Sequence, residues 1–158
     1  MNVSIKRIFP NPITNDYGGP EIAKWTFAFV TFITLGRSLI HTFLPDGGSQ
    51  SIATIPLEKL TADGASAVIH IFSQWGLSQL LFAILYLIVL WRYKSLIPLM
   101  WVFILVEYTG RLFLGLSKPM TGLEGTPPGA VGNLIIIPLA LIMIYLSVRV
   151  RQHDLDPN

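Results

Sequence analysis

The chain has 158 residues, 52% of them hydrophobic and 13% charged, with a formal net charge of +2 and a mean hydropathy of +0.59. That profile excludes an ordinary soluble domain and fits one polytopic membrane domain over 1–158. The cations flank apolar stretches instead of forming a patch or tail, which argues against nucleic acid as a partner, and the lack of cysteine removes disulfides, thiolate chemistry, iron–sulfur clusters and thiolate zinc sites.

Residues 1–19 read as a short basic leader with Lys6 and Arg7, followed by turn residues. They contain no apolar core of a cleavable signal, so the first span is expected to act as an uncleaved signal anchor. Pro20 suits the first helical position and Glu21 the positive end of the helix dipole. The chain is then apolar over about 21–44, long enough to cross a hydrocarbon core of roughly 30 Å, until Pro45-Asp46-Gly47-Gly48 stops it. In the loop that follows, Ile52 to Leu60 is too short to span and too apolar for a free linker, so it is expected against the bundle end or in the interface. Asp63 is a candidate N-cap for a second span over about 66–91. A basic turn, Arg92-Tyr93-Lys94-Ser95, leads to a third span over about 96–116, with Pro98 tolerable in its first turn. The connection Ser117 to Gly129 is rich in proline and glycine and predicts little regular structure. The fourth span covers about 130–148, where Pro138 predicts a bend. Arg149, Arg151 and a solvated His153 lie in the tail.

The expected fold is therefore all-α: a membrane four-helix bundle with two long loops at one end. Lys6, Arg7, Lys24, Arg92, Lys94, Arg149 and Arg151 fall at the other end, with the interfacial aromatics Trp25, Trp91, Tyr93 and Tyr145. The positive-inside rule makes that end cytoplasmic, with both termini inside and the plasma (inner) membrane as the expected location.

The polar residues inside the spans carry the functional expectation. Glu107 and Arg111 are one helical turn apart in an apolar run, and ionisable groups within a span are costly enough to imply a partner or a task. At about 1.5 Å per residue, Arg37, His41, His70, Gln74, Glu107, Arg111 and Asn133 all fall in the outer half. Thr34, Arg37 and His41 follow helical spacing, as do His70, Gln74 and Ser78. The inner half offers Phe27, Phe29, Leu85, Leu87, Ile88, Leu139, Leu141 and Ile142, so an outward polar cavity above an apolar plug is expected. Arg37 and Arg111 against Glu107 leave one surplus positive charge. It can be balanced by a loop acid such as Asp46, Glu58 or Asp63, by snorkelling of an arginine, or by an anionic ligand.

Each of these residues also has a plainer reading. Glu107 with an arginine can serve as a register-fixing ion pair, Arg37 can snorkel, and the histidines can be neutral hydrogen-bonded side chains. Gly36, Gly76 and Gly110 fit close helix packing better than a cofactor. The leading functional expectation is a binding protein for an amphipathic, anionic small molecule, lipid or quinone-like, contacted by Arg37, His41, His70, Gln74, Glu107, Arg111 and Asn133. The main alternative is a non-catalytic accessory subunit of a larger membrane complex, with partner subunits or further copies of itself. A membrane enzyme acting on a lipid would use His41, His70 and Glu107 as metal ligands, or Glu107 and a histidine for acid–base work. A b-type haem between His41 and His70 is a further reading. A channel is disfavoured because only Thr26, Thr31, Gln79 and Tyr86 extend a polar path inward. The sequence names no cofactor and resembles no known family closely enough to carry residues over.

Overall fold

A computed structural model describes residues 4–149; Arg151 and His153 lie outside the described residues. It contains four long helices: α1, Glu21–Phe43; α2, Ala62–Arg92; α3, Ile97–Ser117; and α4, Pro128–Val148. Short 3-10 turns occur at Ile5–Arg7, Leu57–Lys59 and Lys94–Leu96. Each long helix is apolar and long enough to cross a membrane, and together they form the four-helix bundle of an integral membrane protein.

Local chemistry sets the helix ends. Leu44 is extended (ψ 145°), as the residue before a proline tends to be, so α1 stops there. At α2 the cap is Thr61 and not Asp63: the Thr61 hydroxyl accepts from the Gly64 N–H at 3.2 Å, leaving Asp63 in the first turn. The helix therefore begins about a turn before the apolar run and reaches 31 residues, about 45 Å of rise, so part of it stands clear of the hydrocarbon. Pro98 lies in the first turn of α3 and Pro128 opens α4, positions where a missing N–H costs nothing.

The main packing pairs α1 with α2 and α3 with α4. Gly76 sets the first pair: a β-carbon there would lie 2.7 Å from the His41 carbonyl carbon and from the Thr42 nitrogen. Without one, α2 closes against α1 with Gly76 opposite His41 and Thr42. Gly36 and Gly110 do not share this role, since a β-carbon at either meets nothing within 4 Å.

Towards the end where residues 4 and 149 lie, the core is aromatic. Phe27 meets Tyr86 at 5.3 Å and Trp101 at 5.9 Å, both edge-on, the geometry aromatic quadrupoles favour. All three are fully or nearly fully buried, and the Trp101 indole donates to the Ala23 carbonyl at 3.3 Å. Phe29, Leu85, Ile88, Leu141 and Ile142 face outward. The leader closes this end. Ser4 N–H donates to Val148 O at 3.0 Å, and Arg7 Nη1 donates to the Gly18 and Arg149 carbonyls at 3.0 and 2.9 Å. Thr14 and Ser95 exchange bonds, Thr14 N–H to Ser95 Oγ at 2.9 Å and Ser95 N–H to Thr14 O at 3.3 Å. Tyr17 and Ser147 share a hydroxyl hydrogen bond of 2.9 Å; burial pushes the Tyr17 hydroxyl pKa up despite that bond and the nearby Arg7.

At the opposite end, the first loop turns back on the bundle. Gly47 and Gly48 have φ of +59° and +71°, conformations suited to glycine, and Gly47 lies against Phe72 and Ser73 of α2. Asp46 accepts N–H bonds from Gly48, Gln50 and Ser51 at 2.9, 3.2 and 2.7 Å. Partial burial raises its pKa, but those donors outweigh burial and hold the carboxyl below its ordinary value. Ala53 and Pro56 are buried, so the segment from Ile52 packs on the bundle end.

Candidate functional site

Three helices meet at one carboxylate oxygen. The register set by Gly76 brings Gln79, one turn further along α2, beside Arg37 of α1. Arg37 Nη2 donates to Gln79 Oε1 at 2.6 Å, and Gln79 Nε2 donates to Glu107 Oε1 of α3 at 2.8 Å. This amide orientation follows from its neighbours, because the reverse would set an NH2 against a guanidinium. Arg111 Nη1, one turn on from Glu107, approaches the same Oε1 at 3.4 Å, and Arg37 Nη2 lies 3.9 Å from it. The Arg37, Arg111 and Glu107 side chains are 18%, 20% and 27% exposed, so the group is largely but not wholly enclosed.

Aromatic rings carry the charge that carboxylates do not. The Arg37 guanidinium lies 5.7 Å from the Trp75 ring centre and 6.0 Å from that of Tyr108; for Arg111 the distances are 5.2 and 5.1 Å. Such contacts contribute on the order of 0.5–2 kcal/mol each. The loop acids are engaged elsewhere: Asp46 with its own loop's N–H groups, Glu58 with Gln50 at 3.0 Å, and Glu124 with Lys59 at 3.1 Å. Among the described residues, Glu107 is the one carboxylate within 4 Å of either guanidinium. Two cations thus share one anion. The start of α4 adds to the positive side, because a β-carbon at Gly129 would lie 3.1 Å from Arg111 Nη2, and a helix N-terminus carries partial positive charge.

The structure joins Arg37, Glu107 and Arg111 and sets His41 beside them. The His41 ring is buried 4.7 Å from Trp75, and its Nδ1–H donates to the Gly47 carbonyl at 2.8 Å, so it ties the first loop to the cluster's aromatic wall. Asn133 is buried in α4, and its Oδ1 has no hydrogen-bond partner among the described residues; the same holds for Arg37 Nε and the Tyr86 hydroxyl. His70 and Gln74 are not part of the group. Both are exposed and bond to each other at 2.8 Å. Nine residues separate His70 from Gln79, about two and a half turns, so the two face opposite sides of α2. Gly76 lies opposite His41, so Gln74 and His70 sit further towards the loop end of α2 than the cluster.

Trp75 and Tyr108 are members that sequence reasoning passed over, and Gln79, named there only as an inward extension of a polar path, is a third. The signal was present as Gly76-x-x-Gln79-x-x-x-Ala83-x-x-Tyr86, a helical stripe whose small residues mark a packed face. His41, His70 and Glu107 do not form the three-ligand group expected of a metal enzyme; among the described residues no three His, Asp or Glu side chains come together. The two histidines also differ in setting, one buried on a carbonyl and one exposed, and do not form a facing haem-ligand pair.

No known protein family, no curated protein and no solved structure matches this chain.

Proposed function

We propose that the Arg37–Gln79–Glu107–Arg111 cluster binds the polar end of an amphipathic molecule that presents anionic or carbonyl oxygens, its apolar tail lying along the helices, in a protein of the plasma (inner) membrane with cytoplasmic termini. One observation carries this reading: two guanidiniums converge on a single carboxylate oxygen, with no second carboxylate near them among the described residues. Partial exposure of both arginines, the unpartnered Arg37 Nε and the start of α4 beside Arg111 support it, since an acceptor oxygen there would gain charge-assisted bonds. Asn133, four residues beyond Gly129 on the same face of α4, would border the head group, and His41 would hold the first loop beside it. His70 and Gln74, on the outer face of α2, would meet only the tail or the surrounding lipid.

The test is lipid retention by native mass spectrometry of protein in nanodiscs of equal phosphatidylglycerol and phosphatidylcholine, with solvent extraction and an ultraviolet spectrum to detect a quinone. Preferential retention of phosphatidylglycerol points to a phosphate head, and a co-extracted quinone to a carbonyl one. Arg37→Ala and Arg111→Ala should each lower retention at least fivefold. Equal retention of both lipids with no quinone would end the reading.

The accessory-subunit reading is favoured by one feature: Gln79 already closes the network between Arg37 and Glu107, as a device that only fixes helix register would. Under that reading the arginine variants change stability and leave retention untouched.

A further inference from the structure

We propose that the two long loops form a latched gate over the cluster, with the second loop, residues 118–127, as its moving arm. The proposal rests on the reading of the cluster as a binding site and adds how that site opens. Each loop reaches the cluster at a different helix. The first reaches it through the Gly47 carbonyl on His41, whose ring abuts Trp75, the ring that lies 5.7 and 5.2 Å from the two guanidiniums. The second leads into the first turn of α4, where Gly129 touches Arg111.

The loops are joined to each other at one place. Thr54 O accepts from the Glu124 N–H at 3.1 Å, Thr54 Oγ1 donates to the Gly125 carbonyl at 3.0 Å, and Lys59 pairs with Glu124 at 3.1 Å. The seating of the two loops is unequal. Gly47, Gly48, Ser49, Ala53 and Pro56 of the first are buried, whereas residues 118–127 contain no buried residue. The second loop therefore depends on the latch, and the latch is weak by construction. Its ion pair is 64% and 55% exposed, the regime in which such pairs hold little. Thr54 has φ of +58°, and its own loop holds that turn through Thr54 N–H on Gln50 O at 3.2 Å and Ile55 N–H on Ser49 O at 3.0 Å, so the first loop keeps its shape when the latch is released. Gly122, at φ +78° with nothing within 4 Å of a β-carbon, supplies a pivot inside the moving arm.

The chain has no cysteine, which makes the latch directly testable. A β-carbon at Gly125 would lie 4.0 Å from that of Thr54, within the range disulfides require. Thr54→Cys with Gly125→Cys should form a disulfide, and oxidised and reduced forms of the same protein can be compared in nanodiscs by potassium iodide quenching of Trp75, taken as the difference from a matched Trp75→Phe protein. We expect at least a threefold lower quenching constant for the Trp75 component in the oxidised form, restored by reductant, and higher quenching than wild type in Thr54→Val, which lacks the Oγ1 bond. Equal quenching in oxidised and reduced protein, no Trp75 component in either, or failure of the cysteines to pair would overturn the gate. Lipid retention by the reduced protein is scored separately, so a gate that opens above a cluster retaining no lipid refutes the binding reading and not the gate.

Discussion

The two ends of this bundle solve the same problem with different materials. At the end where residues 4 and 149 lie, polar groups are met by the leader, largely through main-chain contacts such as Ser4 on Val148 and Thr14 with Ser95, and the core beneath is Phe27, Tyr86 and Trp101 packed edge-on. At the loop end, side chains meet side chains inside the spans, with Gln79 bridging a guanidinium and a carboxylate. Main-chain bonds between a leader and a turn tolerate many side chains, whereas a charge network in lipid fails as a unit when one member is lost. The loop end should therefore be the more sensitive to single substitutions and the more responsive to conditions.

Glu107→Ala should show this most strongly. It leaves two guanidiniums without an anion, and the loss should be about 3 kcal/mol, the lower part of the range for breaking enclosed pairs because the carboxylate is partly exposed; a shift in thermal unfolding in detergent measures it. Gly76→Leu comes next, at about 2–3 kcal/mol, because its β-carbon would meet α1 backbone, while Gly36→Leu should stay within about 0.5 kcal/mol. At the other end, Tyr17→Phe removes one hydroxyl bond to Ser147 and should cost about 1 kcal/mol. If Tyr17→Phe cost as much as Glu107→Ala, the contrast between the ends would fall.

Asp46 gives a smaller, pH-dependent effect. Its folded carboxyl sits below its ordinary value, so the stability it contributes is present above the unfolded pKa of about 3.9 and is lost as pH falls through the folded one. Unfolding temperature measured from about pH 5 down to pH 2 should decline through that window in the wild type, and Asp46→Asn should flatten the decline. Lys59→Ala should be the weakest of all, within about 0.5 kcal/mol by the same thermal measurement, while still loosening the second loop to proteolysis.

Much of the fold could be read from the residues because length and hydropathy decide it. The four long helices end within four residues of the expected spans, and the largest difference, at the start of α2, reflects in part capping by Thr61 in place of Asp63. The cluster was half legible. Glu107 and Arg111 stand out as charges within one turn of a single helix, and Arg37 as a charge in another. Their connection through Gln79 depends on how far α2 slides along α1, which the contact at Gly76 sets and no periodicity in α2 alone could give. His70 and Gln74 share a helical stripe as regular as the one that packs, so spacing could not choose between them. The small residues Gly76 and Ala83 mark the buried stripe.

Arg37 and its counter-charge are separated by 70 positions along the polypeptide, and that gap matters for biogenesis. When α1 leaves the translocation machinery during synthesis, Glu107 has not yet been made, and a guanidinium facing hydrocarbon alone is unfavourable. In the first hairpin the guanidinium already has Gln79 and Trp75 of α2 but no counter-charge, so the hairpin is expected to be a less stable insertion intermediate than the three-helix unit that contains Glu107.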